Sequence, residues 1–138
     1  MRYLGLDLGS KTLGISISDT TLTIANVLKT LYFESDDYDS LILPLKEIIE
    51  EYDVQKLVLG YPLNMDGSVG ERAVITLKFK KKLEEAFPLE VVLQDERLTS
   101  VISNQVLISA DLSRKKRKKK VDGIAANLIL QSYLDKER

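Results

Sequence analysis

The stretch RYLGLDLGSKTLGISIS, residues 2–18, decides the fold. Residues 2–7, RYLGLD, read as a strand that ends in an aspartate, and Gly9 and Ser10 make a turn. Residues 13–18, LGISIS, alternate apolar and small polar side chains, the period-two signature of a second strand. Residues 27–33, VLKTLYF, read as a third. Three strands joined by short turns predict an antiparallel meander. Ligands in open α/β sheets gather beyond the carboxyl ends of strands, so Asp7 stands in a productive place. Gly9 lets backbone come close to a phosphate or metal, and Lys11 can face a phosphate. An Asp-x-Gly turn on its own serves a purely structural purpose just as readily.

Outward from the meander, ESDDYDS is a polar loop, and Leu41, Ile42, Leu45, Ile48, Ile49 and Tyr52 then follow helical spacing. Pro44 fits only the first turn of that helix. KLVLG, 56–60, is a short apolar strand of the buried parallel kind. YPLNMDGSVG, 61–70, is a loop by its Pro, Asn, Asp and Gly content. Residues 71–87 predict a helix with Ala73, Leu77, Leu83 and Phe87 inward, stopped by Pro88. LEVVLQ, 89–94, is another buried strand, and Leu98, Val101, Ile102 and Val106 mark a helix after it. Residues 111–120 are expected as a loop. A last helix is expected to turn Val121, Ile124, Ala125, Leu128 and Ser132 to one side, with Asp122 at or near its first turn. The order β-β-β-α-β-α-β-α-α predicts an α/β fold, a mixed sheet with helices on its faces. No repeat or boundary divides it, so residues 1–138 are expected to form a single domain.

Composition narrows the chemistry. At 44% hydrophobic and 30% charged residues, the chain has the balance of a soluble globular domain. No apolar run approaches the ~20 residues that span a bilayer, and the first ten residues do not read as a signal peptide. A cytoplasmic protein with no membrane partner is expected. Cysteine and histidine are both absent. That excludes disulfides, thiolate nucleophiles, Ser-His-Asp triads and zinc held by Cys or His. Any metal must be held by oxygen, which favours Mg2+ or Mn2+.

Charge is unevenly placed. The net charge is −1, yet Arg114, Lys115, Lys116, Arg117, Lys118, Lys119 and Lys120 are consecutive. Without them, 13 cations face 21 carboxylates. An acidic body with one strongly basic segment predicts a localised contact with a polyanion. The run holds no aromatic residue, so it is suited to gripping a nucleic-acid backbone rather than reading bases.

Three carboxylate positions recur at the same kind of place. Asp7 ends the first strand, Asp95 and Glu96 follow the strand 89–94, and Asp122 lies beside the last helix. Each has an ordinary structural use, as a turn cap, a helix-dipole partner or an N-cap. Together they converge where α/β active sites form, and converging carboxylates need a cation between them. A pair of divalent ions held by oxygen activates water and steadies the leaving oxygen in phosphodiester cleavage. The loop 59–73 reads by composition first as an ordinary β–α connection, but leading into a helix N-terminus it also suits phosphate, and Asp66 in it can approach the same ions.

GLDLGSKTLGISISD (5–19), LGYPLNMDGS (59–68), QDERLTS (94–100) and VDGIAANLILQSYLD (121–135), in this order, resemble the YqgF-type family of Holliday junction resolvases, also described as pre-16S rRNA nucleases. The resemblance spans nearly the whole chain. It implies a ribonuclease H-like fold with a mixed five-stranded sheet and helices on both faces. It also implies a metal-dependent nuclease of the bacterial cytoplasm that matures the 5′ end of 16S rRNA. Matched residue by residue, Asp7, Glu96 and Asp122 take the catalytic and metal-holding positions, with Asp95 the alternative to Glu96. Lys11, Arg97 and the run 114–120 are the expected nucleic-acid contacts, and structured RNA or branched DNA the expected partner of a monomer or homodimer. The chain departs from the pattern at Thr12, where a basic residue is usual. It also departs from the wider ribonuclease H-like group at Gly60, where a second carboxylate often stands. Resolution of DNA junctions and non-catalytic RNA binding during ribosome assembly are the alternative functions.

Overall fold

The computed structural model describes residues 1–64, 66–95 and 114–137, and for 114–122 the backbone alone. Strands β1 (Arg2–Leu8), β2 (Thr12–Ser18) and β3 (Ala25–Tyr32) form the meander that the alternation predicts. A 3-10 turn, Tyr38–Leu41, leads into α1 (Ile42–Tyr52). Pro44 falls in the first turn of α1, where its missing N–H removes no helical bond. Strand β4 (Val54–Tyr61), helix α2 (Glu71–Ala86), strand β5 (Glu90–Asp95) and helix α3 (Arg114–Glu137) complete the described elements. The helix expected around Leu98–Val106 lies outside the described residues.

The sheet runs β3-β2-β1-β4-β5. β1, β2 and β3 pair antiparallel, whereas β1–β4 and β4–β5 pair parallel. The fold class is therefore as expected: five strands in a mixed sheet with helices on both faces. On one face, Leu4, Leu6 and Leu8 of β1, Leu13 and Ile15 of β2, and Leu57 and Leu59 of β4 pack with Leu45 and Ile48 of α1 and Phe79 and Leu83 of α2. On the other, Ala25 and Val58 pack with Ile129, Leu130, Tyr133 and Leu134 of α3. Among the described residues no helix is long and apolar enough to cross a membrane.

Three expectations are corrected. In α2 the buried positions are Ala73, Thr76, Phe79 and Leu83, while Leu77 is 40% exposed. The stripe steps three residues from Ala73 to Thr76, whose hydroxyl donates to the Arg72 carbonyl at 2.9 Å and so enters the core satisfied. In α3 the buried stripe is Ala125, Ala126, Ile129, Leu130, Tyr133 and Leu134; of the expected face Ala125 belongs to it, and the Val121 side chain lies outside the described residues. Ile124, Leu128 and Ser132 are half-buried. The sheet selects small residues here because Gly5 lies directly beneath. A Cβ on Gly5 would collide with Ser16 Oγ and lie 2.6 Å from Leu130 Cβ and 2.8 Å from the Ala126 carbonyl.

The third correction concerns the cations. Arg114–Lys120 are not a loop but the opening turns of α3, and Asp122 lies two turns inside the helix rather than at its start. Lys and Arg side chains lose little freedom in a helix. The packed stripe from Gly123 onward supplies the costly nucleus, so extending the helix backwards needs only propagation.

Candidate active site

Parallel β1, β4 and β5 bring their C-terminal ends to one edge of the sheet. Asp7, the penultimate residue of β1, stands there half-buried. Leu4, Leu6 and Leu8 face α1 and α2, so alternation turns Gly5 and Asp7 to the face covered by α3. Asp7 is paired across β2 with Gly14, whose lack of a side chain leaves that row uncrowded.

α3 is fastened to this face beside Asp7. The Ser16 hydroxyl donates to the Ala126 carbonyl at 2.7 Å, in a buried bond. Gln131 Nε2 donates to the Thr23 carbonyl at 2.9 Å, and its Oε1 accepts from the Ala25 N–H at 2.8 Å. These bonds lock the helix to β2, to β3 and to the turn between them. Asp122 occupies the helical position one turn before Ala126, so its backbone belongs to the element pressed against Gly5 and Ser16. Its side chain, and those of the seven cations, lie outside the described residues, as do Glu96 and Arg97.

Asp95 closes β5 and is exposed. Val91 packs with the α1–α2 core and Val92 with the α3 core, so alternation sends Asp95 to the α1–α2 face and Gln94 to that of Asp7. The two aspartates thus share an edge of the sheet but not a face. Asp66 is engaged locally, accepting from Ser68 N at 2.9 Å and Ser68 Oγ at 2.6 Å, which closes the loop before α2. Lys11 is exposed in the β1–β2 turn, and its carbonyl accepts from the Phe33 N–H at 2.9 Å.

One residue at this edge was not singled out in the sequence. Arg72, in the first turn of α2, donates from Nη2 to the Leu8 carbonyl at 3.1 Å. The signal was present: a cation in the first turn opposes the helix macrodipole. Lys56 is a different matter. It lies near the start of β4, away from Asp7, with its ammonium 4.9 Å from the Tyr3 ring and 5.2 Å from that of Tyr133. Burial lowers its pKa, but the hydrogen bond to the Tyr133 hydroxyl and the nearby Tyr133, Tyr3 and Glu90 outweigh that and raise it. It ties α3 to the sheet.

With neither histidine nor cysteine in the chain, the donors at this edge are oxygens, a set that fits a hard divalent ion rather than zinc or copper. Among the described residues no three acidic side chains gather around one point.

Comparison with known proteins bears on this edge. A family model described as "RuvX: Holliday junction resolvase" matches residues 1–136. A protein of Geobacillus kaustophilus (strain HTA426) named "Putative pre-16S rRNA nuclease" is 49% identical over 138 residues, the whole of both chains. Among solved structures, RuvC of T. thermophilus in complex with a Holliday junction substrate aligns with TM-score 0.59 at 10% identity, covering 99% of this chain and 96% of that one. The Fowlpox virus resolvase bound to Holliday junction DNA aligns with TM-score 0.56 at 18% identity over 99% of each chain. At those identities the likeness establishes the ribonuclease H-like fold and no more.

Proposed function

The chain belongs to the RuvX family of Holliday junction resolvases, and from that premise we propose that it is a divalent-metal-dependent endonuclease processing the 5′ end of pre-16S rRNA. The observation that carries the reading is the placement of Asp7. Its carboxylate ends a central parallel strand, on the face where α3 is pressed against Gly5. The name of the full-length relative supports pre-16S rRNA as the substrate.

Asp7, Glu96 and Asp122 are the residues we assign to hold Mg2+ or Mn2+, and Asp95, on the opposite face, is the weaker choice for the second position. Bound there, a divalent ion supplies an activated water and charge stabilisation for the leaving oxygen. The protein's own part is positioning. The sheet carries Asp7 and the helix carries Asp122, both rigid elements of the kind that holds reacting groups to the tolerance catalysis needs. The cations of Arg114–Lys120, with Lys11 and Arg97, draw in the RNA backbone. In a helix, Lys118 and Lys119 stand one turn from Asp122, so grip and cut occupy one element. This setting accords with a cytoplasmic nucleic-acid enzyme.

The test is a cleavage assay that offers a 16S precursor leader and a four-way DNA junction side by side, with Mg2+, Mn2+ or EDTA. The expected result is metal-dependent cleavage of the leader by the wild-type protein. Asp7→Asn should bind the leader and not cut it. Cleavage by Asp7→Asn at the wild-type rate would refute the mechanism. Preferred cleavage of the junction would assign the chain to DNA resolution, and tight RNA binding without any cleavage would make it an assembly factor.

A further inference from the structure

Arg72 is half-buried, in the first turn of α2, at the edge of the sheet where Asp7 stands. A guanidinium there costs free energy on two counts: it opposes the helix macrodipole, and among the described residues it gives up water without an ion-pair partner. The ion pairs found among the described residues are Lys56–Glu90, Lys80–Glu84 and Lys82–Asp39, and none involves Arg72. Glu71 is adjacent in sequence, but consecutive helix residues do not face each other.

Its contact is with the Leu8 carbonyl, at 3.1 Å. Leu8 directly follows Asp7. The pairing of β1 with β4 runs as far as Leu6↔Leu59, so this carbonyl lies beyond the parallel ladder. The contact fixes the cation at the end of β1, against the carbonyl of the residue that follows Asp7, at the edge of the sheet that both faces share. A guanidinium carries five N–H donors in a rigid planar fork, and one of them is engaged here. Such a fork matches the oxygens of a phosphate.

We propose that Arg72 is a phosphate-binding residue of the active site: held by the Leu8 carbonyl beside Asp7, its guanidinium receives a backbone phosphate of the substrate next to the bond that is cut. The inference rests on the nuclease reading for the identity of its ligand. It accounts for a cation placed where helix and burial both disfavour one, because the substrate phosphate brings a counter-charge to it.

The experiment measures equilibrium binding of a 16S precursor leader RNA in EDTA, so that cleavage does not intervene, across a series of salt concentrations. Wild type, Arg72→Gln and Arg72→Lys are compared, each with its thermal midpoint. Every phosphate contact contributes about 0.7–0.9 to the slope of log K against log salt. Arg72→Gln should therefore lower that slope by about one contact and weaken binding about tenfold near 0.1 M salt. Arg72→Lys should keep the slope and lose affinity a few-fold, because it retains the charge without the fork. A residue that merely braces β1 would move the thermal midpoint and leave the slope alone. An unchanged slope in Arg72→Gln overturns the proposal. Should Arg72→Gln fail to fold, wild-type affinity in Arg72→Lys overturns it instead. Metal-dependent cleavage by wild type is followed in parallel. Its absence alongside a changed slope would sink the nuclease reading and leave the phosphate contact standing.

Discussion

Gly5→Ala should damage the protein far more than the gain of one methyl group suggests. The new methyl would collide with Ser16 Oγ and lie 2.6 Å from Leu130 Cβ and 2.8 Å from the Ala126 carbonyl. Two of these three atoms belong to the α3 backbone or to the first carbon of a side chain, so no rotamer change relieves the clash. Either α3 lifts off the sheet or the strand distorts. Overpacking of this kind costs about 1–3 kcal/mol. Lifting the helix also breaks the buried Ser16–Ala126 bond, which contributes about 1 kcal/mol. The sum, about 2–4 kcal/mol, should appear in urea unfolding at 25 °C as a lower midpoint with an unchanged slope. Activity should fall further than stability. Asp122 travels with α3, and a misplacement of about 1 Å can cost about 100-fold in rate, read at a temperature where the variant is fully folded. Gly123→Ala is the control. Its Cβ would meet Val27 Cγ1 at 3.4 Å, an ordinary contact, and replacing a glycine inside a helix gains up to about 1 kcal/mol. The same substitution should thus destabilise at one glycine and stabilise at the other. If Gly5→Ala unfolds within about 0.5 kcal/mol of wild type, the close seat of α3 on β1 is wrong.

Three further outcomes are expected. Replacing Lys118, Lys119 and Lys120 together by glutamine should weaken RNA binding and flatten its dependence on salt, with turnover at saturating substrate almost unchanged; a large loss of saturated turnover would place the run in the catalytic centre itself. The opening turns of α3 set like charges three and four residues apart and put cations at the positive end of the helix dipole, so helicity by circular dichroism should rise with salt, and a fall would contradict this account. Asp19 accepts from the Thr21 hydroxyl, the Thr23 N–H and the Ile24 N–H, with the Thr21 bond the largest cause holding its pKa below the ordinary 3.8. A depressed carboxyl stabilises the fold above its unfolded value and loses that contribution as pH falls through its folded one. Asp19→Asn should therefore be less stable than wild type at neutral pH, with the gap in thermal melts narrowing progressively as pH falls below 3.8; a gap that does not change with pH would refute the assignment.

The meander was legible because β1 and β2 alternate cleanly between residues that meet the α1–α2 core and small residues on the other side. The seat of α3 was not. Its sheet-facing positions include Ala125 and Ala126, which carry little hydrophobic signal, and what selects them is a glycine 120 residues earlier on β1. Reading the basic run as a loop missed the helix that the packed end of α3 propagates backwards. The choice between Asp95 and Glu96 was equally closed to the sequence. Val91, Val92 and Leu93 are apolar in succession, so the strand shows no alternation until the partners of each face are known. Asp7 was visible because it ends an alternating strand beside a glycine turn. Arg72 was passed over because charge within a helix is common, and its meaning depends on a carbonyl 64 residues away.

α3 touches every strand of the sheet yet follows all of them in the chain. During synthesis, then, the five strands and the α1–α2 core can assemble while the face beneath α3 is still bare. Asp7 would be present on that unfinished surface without the helix that carries Asp122. If Asp122 holds the metal as proposed, the order of elements would itself delay activity until the helix docks.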